Sequence, residues 1–259
     1  MKPLAELPAR RPRGVLFDID DTLTTDGHLT AEAYAAMERM KHAGMLVVPI
    51  TGRPGGWCDH IARMWPVDAV VGENGAFYFW RDRDRLGKRY VDDAPVRAGN
   101  RARLQAIAER ILAEVPGCAL ASDQAYRDND LAIDFCEDVP PLPLEAAERI
   151  AALMRAQGLT AKISSIHVNG WFGSYDKLAM TRLLMRERYG LDLDAANRDF
   201  VFAGDSPNDA PMFAFFEFSV GVANVARFSG RLDAEPKYLT RAAAGAGFAE
   251  LASHLLGRT

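Results

Sequence analysis

The sequence predicts an α/β protein, a doubly wound parallel-sheet core interrupted by an inserted α+β module. Three observations predict it. Short apolar runs alternate with helical periods up to Gly75 and again after Asp176. Between these stretches the rhythm changes to helix, strand pair, helix, strand. The apolar runs of the alternating parts end in acidic or glycine-bearing loops, and open α/β sheets bind their ligands at the carboxyl ends of the strands.

Each element has its own signal. Gly14-Val15-Leu16-Phe17 is a compact apolar strand that Asp18 ends. Thr30 stands where a helix through Ala33, Met37 and Met40 needs its N-cap, and Gly44 stops that helix. Leu46 to Ile50 is the second strand, although Pro49 argues against full pairing on both sides. A helix from Pro54 to Trp65, a strand from Val67 to Val71 and a turn over Gly72-Glu73-Asn74-Gly75 follow. After Phe77 to Trp80 and the charged stretch Arg81 to Arg89, the spacing of Leu104, Ile107, Ile111 and Leu112 predicts a helix over Asn100 to Val115. Strands are expected at Cys118 to Ser122 and Leu131 to Cys136, a helix at Leu144 to Gln157, and one strand at Ala161 to Val168. Alternation resumes with a helix from Asp176 to Tyr189, the strand Phe200 to Ala203, a short helix from Pro207 to Phe216 and the strand Phe218 to Val222. Tyr238-Leu239 is a candidate last strand and Phe248 to Leu256 a closing helix. The expected division is core over 1–84, with an N-terminal tail at 1–13, inserted module over 85–170, and core again over 171–259.

Composition narrows the function classes. The 259 residues are 49% hydrophobic and 25% charged, as in ordinary globular proteins large enough to bury their own core. Lys plus Arg number 31 against 35 Asp plus Glu, a net charge of −4, which disfavours nucleic acid as a partner. The basic run Arg10-Arg11-Pro12-Arg13 lies in a Pro-rich segment expected to be a solvated tail. Cys58, Cys118 and Cys136 are odd in number and scattered, so they form neither a disulfide framework nor a zinc pair. The longest apolar runs, such as Met45 to Ile50, are too short to span a bilayer, and no signal-peptide pattern opens the chain. A cytoplasmic protein with no membrane partner is expected.

Three loops carry the chemistry. Asp18-Ile19-Asp20-Asp21-Thr22 ends the first strand, Thr51-Gly52-Arg53 the second, and Gly204-Asp205-Ser206-Pro207-Asn208-Asp209 a later one. Asp18, Asp20, Asp205 and Asp209 carry −4 if all are ionised, and such crowding is unfavourable without a cation. Lys177 and one divalent ion would supply +3. An all-oxygen carboxylate set with no neighbouring His or Cys suits Mg²⁺ better than zinc. Magnesium keeps positions open for water and phosphate oxygens, so a phosphate is the natural ligand. An aspartate with an ordinary pKa of about 3.9 is ionised at neutral pH and can attack phosphorus without an activating base. A carboxyl two residues on can protonate the leaving alcohol and later deprotonate water. Thr51 and the N–H groups around Gly52 suit phosphoryl oxygens, and Lys177 offsets developing charge.

The order DIDDT, ITGR, a distant lysine and GDSPND resembles the haloacid-dehalogenase-like superfamily of phosphohydrolases. The four signals run in family order from Asp18 to Asp209. The insertion between ITGR and Lys177 resembles the large α/β cap of the type IIB members, which include sucrose-phosphate and mannosyl-phosphoglycerate phosphatases. The Gly72-Glu73-Asn74-Gly75-Ala76 turn resembles that subgroup too. The resemblance implies a Rossmann-like core and a Mg²⁺-dependent phosphatase acting on a small phosphorylated metabolite, a sugar phosphate, through a phospho-aspartate. It implies Asp18 as nucleophile and metal ligand, and Asp20 as acid/base that lends its backbone carbonyl to the metal. Thr51, Gly52 and Lys177 would hold the phosphoryl group, and Asp205 would ligate the metal directly. Asn208 and Asp209 would support the metal through water or hydrogen bonds. Arg53, Asn74, His167 and Asn169 are candidate substrate contacts. Asp21 departs from the family pattern, standing where many relatives have glycine; Asp tolerates unusual backbone angles, so the turn is expected to be intact.

Other readings remain open at this level. A phosphomutase would use the same phospho-aspartate and return the group to another hydroxyl. A phospho-signalling receiver or a metal-dependent binding module are the non-enzymatic alternatives. Asp18 to Thr22 also has the composition of an ordinary turn, and Lys177 that of a surface lysine. Ser165, His167 and Asn169 alternate as on one strand face, which would reach a substrate or be solvated. Arg127 reads as a surface residue, with binding of a charged leaving group as its alternative role.

Overall fold

The computed structural model describes residues 1–8 and 10–257; residue 9 of the expected tail and residues 258–259 of the expected second core segment lie outside the described residues. In chain order the elements are β1 Lys2–Pro3, β2 Gly14–Phe17, α1 Ala31–His42, β3 Leu46–Pro49, α2 Gly55–Met64, β4 Val70–Gly72, β5 Phe77–Asp82, β6 Arg85–Tyr90, α3 Ala94–Glu114 and β7 Ala119–Leu120. They continue with β8 Asp130–Asp134, α4 Leu144–Ala156, β9 Thr160–Ile163, β10 His167–Trp171, α5 Lys177–Tyr189, β11 Phe200–Gly204, α6 Ala210–Phe215, β12 Phe218–Gly221, β13 Tyr238–Leu239 and α7 Ala244–Leu255.

The core is a six-stranded sheet in the order β1-β13-β12-β11-β2-β3, parallel throughout. Alternation along its central strands supplies both faces. Val15, Phe17, Val47 and Val201 pack towards α1 and α7, while Leu16, Val48, Phe200 and Phe202 pack with Met180, Leu184 and Phe213 of α5 and α6. Strands buried on both faces read as continuous apolar runs, which is why these three were visible in the sequence. Phe17 stands opposite Ala203 on one side and Pro49 on the other. The loops that begin at Asp18, Ile50 and Asp205 therefore leave the same end of the sheet side by side.

Pro49 has a local explanation. The Val47 N–H donates to the Asp68 carboxylate at 2.9 Å, and the Thr51 N–H to the Val71 carbonyl at 2.9 Å. Position 49 points the same way as 47 and 51 and lies between them, facing β4, and a residue without N–H there leaves the contact with β4 as a single bridge at Ile50–Val71. Beyond this edge β4, β5 and β6 form a separate antiparallel sheet. The β5–β6 hairpin was not expected, because its charges at Arg81 to Arg89 obscure the strand pattern. A division at residue 85 would cut this hairpin at the first residue of β6.

The inserted module has a four-stranded antiparallel sheet, β7-β8-β10-β9. Leu131, Ile133 and Val168 pack against Leu104, Ile107 and Ile111 of α3 and Ile150 and Met154 of α4. The opposite face carries Asp130, Asp134, His167 and Asn169, all buried, because it lies on the core rather than in water. The strand expected over Ala161 to Val168 is instead a hairpin. The Ser164 N–H donates to the His167 carbonyl at 2.9 Å, closing a tight turn between β9 and β10. Ser165 therefore sits in the turn and does not share a strand face with His167 and Asn169. Helix α3 starts at Ala94, before the expected Asn100, because Asp93 caps it by accepting from the Val96 N–H at 3.0 Å and Pro95 opens its first turn.

The N-terminal segment is not the solvated tail expected from its basic run. Lys2 and Pro3 pair with Tyr238 and Leu239 at the sheet edge, Leu4 and Leu7 are buried, and Arg10 lies over the Phe218 ring. Among the described residues no helix is long and apolar enough to cross a membrane.

Candidate active site

The loop after β2 turns because Asp21 adopts φ +54°, the left-handed region where glycine is favoured and Asp is tolerated. The turn expected to survive the substitution of glycine is thus formed. Thr22 is buried within it and donates its hydroxyl to Asp205 Oδ1 at 3.1 Å, joining the first loop to the third. The Asp21 carboxylate pairs with Arg227 at 3.0 Å.

Asp18, Asp205 and Asp209 are all buried, and each offers a carboxylate oxygen within 4.8 Å of the others. Lys177, the first residue of α5, lies 3.0 Å from Asp18 Oδ1 and 2.7 Å from Asp209 Oδ1. It is 1% exposed, which removes the surface-lysine alternative. Two features aim it. Asp176 caps α5 by accepting from the Ala179 N–H at 2.7 Å. Gly75, at φ +105°, lets the preceding turn press against the helix start, where a Cβ would lie 2.1 Å from the Asp176 carbonyl oxygen.

Asp209 has both oxygens engaged. Oδ1 takes Lys177, and Oδ2 accepts from the N–H groups of Asp205 at 3.0 Å and Ser206 at 3.3 Å. That contact requires Gly204, whose Cβ would fall 2.4 Å from Asp209 Oδ2. Asp205 Oδ2 accepts from Asn224 Nδ2 at 3.1 Å, and the same amide donates to the Asp21 carbonyl at 2.9 Å. Asn224 had no sequence signal; it lies 19 residues beyond Asp205.

Three buried carboxylates against one ammonium leave an uncompensated charge. Burial pushes the Asp18 carboxyl up to about 8 against the pull of Lys177, with Asp209 and Asp20 adding to the rise. Burial likewise holds Asp205 well above the usual carboxylate range, with Asp18 and Asp209 adding to it. A hard divalent cation would remove this penalty, so an all-oxygen, charge-excess donor set of this kind fits one.

Thr51 is fully buried, and its hydroxyl oxygen accepts from the Arg53 N–H at 3.0 Å. Asn74, at φ +53°, donates its N–H to the Thr51 carbonyl at 3.0 Å and accepts from Asn208 Nδ2 at 3.2 Å. Asn208 thus turns towards Asn74 rather than towards the carboxylates. A cavity of about 10 Å³ remains between core and module, lined by Asp18, Asp20, Gly52, His167, Asn169 and Asn208 among others. Among the described residues, three buried polar atoms at this seam lack a hydrogen-bond partner: Asn74 Nδ2, Ser165 Oγ and His167 Nε2. His167 Nε2 lies 2.8 Å from Glu137 Oε2, close enough for a charge contact but poorly directed for a hydrogen bond.

Arg53 lies at the centre of the seam. Its Nε reaches both oxygens of Asp20 at 2.9 and 3.0 Å, Nη1 reaches Asp123 at 3.3 Å, and Nη2 meets Glu137. The Trp57 ring covers it at 4.3 Å. Burial raises the Glu137 carboxyl, but His167 and Arg53 outweigh it and hold the group down to about 2. Asn169 donates to Asp130 Oδ2 at 2.8 Å. Arg127, expected on the surface, is 4% exposed and bonds Asp123, Asp130 and the Gly52 carbonyl. Asp123 and Glu137 carry no local signal because Arg53, a partner of both, lies across the core–module seam, and Asp130 meets Asn169 39 residues away on a neighbouring strand.

Glu73 was seen only as part of a turn. It is fully buried, at φ +43°, and accepts from the N–H groups of Gly55 at 2.9 Å, Asp128 at 2.8 Å and Asn129 at 2.6 Å. Glu73→Ala strands three backbone donors, those of Gly55 and Asn129 buried and that of Asp128 half-buried. At about 1 kcal/mol or more for each, the expected loss is about 3 kcal/mol, or roughly 6–12 °C in Tm for a chain of this size. Thermal unfolding of the variant measures this; a shift below about 2 °C would show that the clamp contributes little.

Residues 15–98 match a family model described as haloacid dehalogenase-like hydrolase. No curated protein matches the chain. Among solved structures, the chain is similar to a Thermoplasma acidophilum protein at TM-score 0.71 and 17% identity, covering 95% of this chain and 99% of that one. It is similar to the C-terminal domain of a C. albicans trehalose-6-phosphate phosphatase at TM-score 0.71 and 14% identity, covering 100% and 99%. It is also similar to the Synechocystis sucrose-phosphatase, at TM-score 0.64 and 15% identity, covering 95% and 98%. These identities speak to the fold, and the fold is the α/β core with an inserted module described above. The family match over the first core segment and these shared folds make the chain similar to haloacid dehalogenase-like hydrolases in its first core segment and in its overall architecture.

Proposed function

We propose that the protein is a Mg²⁺-dependent phosphatase that hydrolyses a small phosphorylated metabolite, a sugar phosphate, through a phospho-aspartate on Asp18. The observation that carries this reading is the buried Asp18–Lys177–Asp209–Asp205 cluster at the carboxyl ends of adjacent strands. Asp18, Asp205 and the Asp20 backbone carbonyl would hold the metal, with Asp209 in support; the ion would neutralise charge on the phosphoryl oxygens. Asp18 attacks phosphorus, and the bond to the leaving oxygen breaks. Asp20 gives that oxygen its proton, then takes one from the water that cleaves the acyl phosphate. Free phosphate leaves and Asp18 is restored. Thr51, the Gly52 N–H and Lys177 bind the phosphoryl oxygens, and Arg53 orients Asp20 from the side.

The leaving group has a place to go. A cleft of about 570 Å³ opens beside Asp20 between the core loop at Thr24 and the module, with Arg227 and Phe228 on one wall and Phe135 and Ser165 on the other. That volume suits a ligand of sugar to disaccharide size. The trehalose-6-phosphate phosphatase and sucrose-phosphatase folds support the same class. We take the module from Ala94 to Trp171 as a cap whose closure excludes bulk water, with Asn74, His167 and Asn169 meeting substrate at the seam. The free thiols of Cys58, Cys118 and Cys136 suit a cytoplasmic location.

A panel of sugar phosphates, with and without Mg²⁺, tests the reading through released inorganic phosphate. Metal-dependent release that a chelator abolishes is expected. Isomerised sugar phosphate without stoichiometric phosphate would instead assign a phosphomutase, and no turnover of any phosphomonoester would remove the enzymatic reading.

A further inference from the structure

We propose that Arg127 is a positioning residue through which the docked module sets both the phosphate-binding loop and the Asp20 carboxylate. The inference rests on the phosphatase reading and goes beyond it by naming what couples module to chemistry.

Arg127 belongs to the module, yet one of its bonds crosses to the core. Its side chain is fully buried. Nε and Nη2 form a fork on Asp123, at 2.9 and 3.1 Å. Nη1 donates to Asp130 at 3.0 Å and to the Gly52 carbonyl oxygen at 2.8 Å. Pairs within the module would stabilise only the module. The bond to Gly52 reaches further, because the Gly52 carbonyl and the Arg53 N–H belong to one planar trans peptide and point in opposite directions. Holding the oxygen on Arg127 aims the N–H at Thr51 Oγ1, which accepts it at 3.0 Å. With its oxygen taken as acceptor, the Thr51 hydroxyl keeps its proton free to donate to a phosphoryl oxygen.

A second arm reaches the acid/base. Asp123 Oδ2 is shared between Arg127 Nη2 and Arg53 Nη1, and Arg53 grips both oxygens of Asp20. A third runs through Asp130 Oδ2 to Asn169 Nδ2, whose amide oxygen lies beside Gly52. Both guanidiniums are thus fixed by carboxylates of the module, while their outward bonds fall on the core loop and on Asp20. When the module lifts, Gly52 loses the donor that fixes its peptide and Arg53 loses Asp123 and Glu137. The phosphate loop and the acid/base are then released together.

Arg127→Lys keeps the charge but cannot hold a fork on Asp123 and the Gly52 oxygen at once. In the full chain with Mg²⁺ and a turned-over sugar phosphate, kcat is expected to fall 10- to 100-fold. The inhibition constant for inorganic phosphate should rise at least tenfold in parallel, in assays held well below the variant's Tm. Arg127→Ala is expected to regain part of its kcat with millimolar guanidinium chloride, but not with sodium chloride at equal ionic strength. Lysine-variant kinetics and phosphate inhibition within twofold of the wild type would overturn the proposal. So would a kcat loss with phosphate inhibition unchanged and no guanidinium rescue, the pattern of a merely structural arginine. Wild-type protein that releases no phosphate removes the phosphatase reading itself, a result separate from a normal wild type with an indifferent Arg127.

Discussion

Asp18→Asn is expected to give a folded protein whose phosphate release is at least about 10³-fold slower than wild type, the scale of losing a covalent nucleophile. Stability should move the other way. In the metal-free protein, burial pushes Asp18 up to about 8, so ionising it is unfavourable. A neutral amide of the same shape removes that penalty, and its oxygen still accepts from Lys177, now 3.0 Å from Oδ1. The metal-free variant should therefore melt at or above the wild-type Tm while losing activity. A carboxylate kept for structure would show the reverse, since removing a partner from a needed buried ion pair destabilises. Initial rates and melts on the same preparations decide between them. Residual activity within about tenfold of wild type would deny Asp18 the nucleophile's role.

What the sequence made legible follows from the range of the interactions involved. Gly14 to Phe17 and Phe200 to Gly204 are short apolar runs with loops at their ends, and parallel strands buried on both faces leave that pattern. Asp18 and Asp205 are legible because each follows such a strand and the sheet order brings those strand ends together, whereas Lys177 is marked by its place at the start of a helix after the insertion. The seam was not legible. Arg53 meets Glu137 across 84 residues, and Glu73 meets Asn129 across 56, with no periodicity to announce either pair. Arg127 has carboxylates four residues before and three after it, a spacing that surface helices share, so only the fold separates it from a solvated arginine. Local ambiguity explains the remaining misses. Ala161 to Val168 alternates well enough for one strand, but Ser164 and His167 bond each other and reverse the chain.

Metal-free protein is expected to lose stability as the pH rises from about 4 to about 8, and Mg²⁺ to restore more at the upper end. The sign follows from proton counts. Asp18 has an ordinary value of 3.8 in the unfolded chain and about 8 in the fold, so between these limits the native state holds the proton that the unfolded chain has lost. Stability is then full below the lower limit and lost as the pH passes through the upper one, by up to about 1.4 kcal/mol per pH unit for each such group. Asp205, raised by burial beside Asp18 and Asp209, adds to the slope. Glu73, which burial also pushes up to about 8, contributes a part that no cation in the cluster can relieve. Binding Mg²⁺ to Asp18 and Asp205 requires both to be ionised, so it competes with protons and favours the folded state increasingly as the pH rises. The rise in Tm on adding Mg²⁺ should thus be larger at pH 8 than at pH 5, and Asp205→Asn should abolish most of it while leaving the Glu73 slope in place. An Mg²⁺-induced shift equal at both pH values, or one surviving Asp205→Asn, would place the cation elsewhere than among these carboxylates.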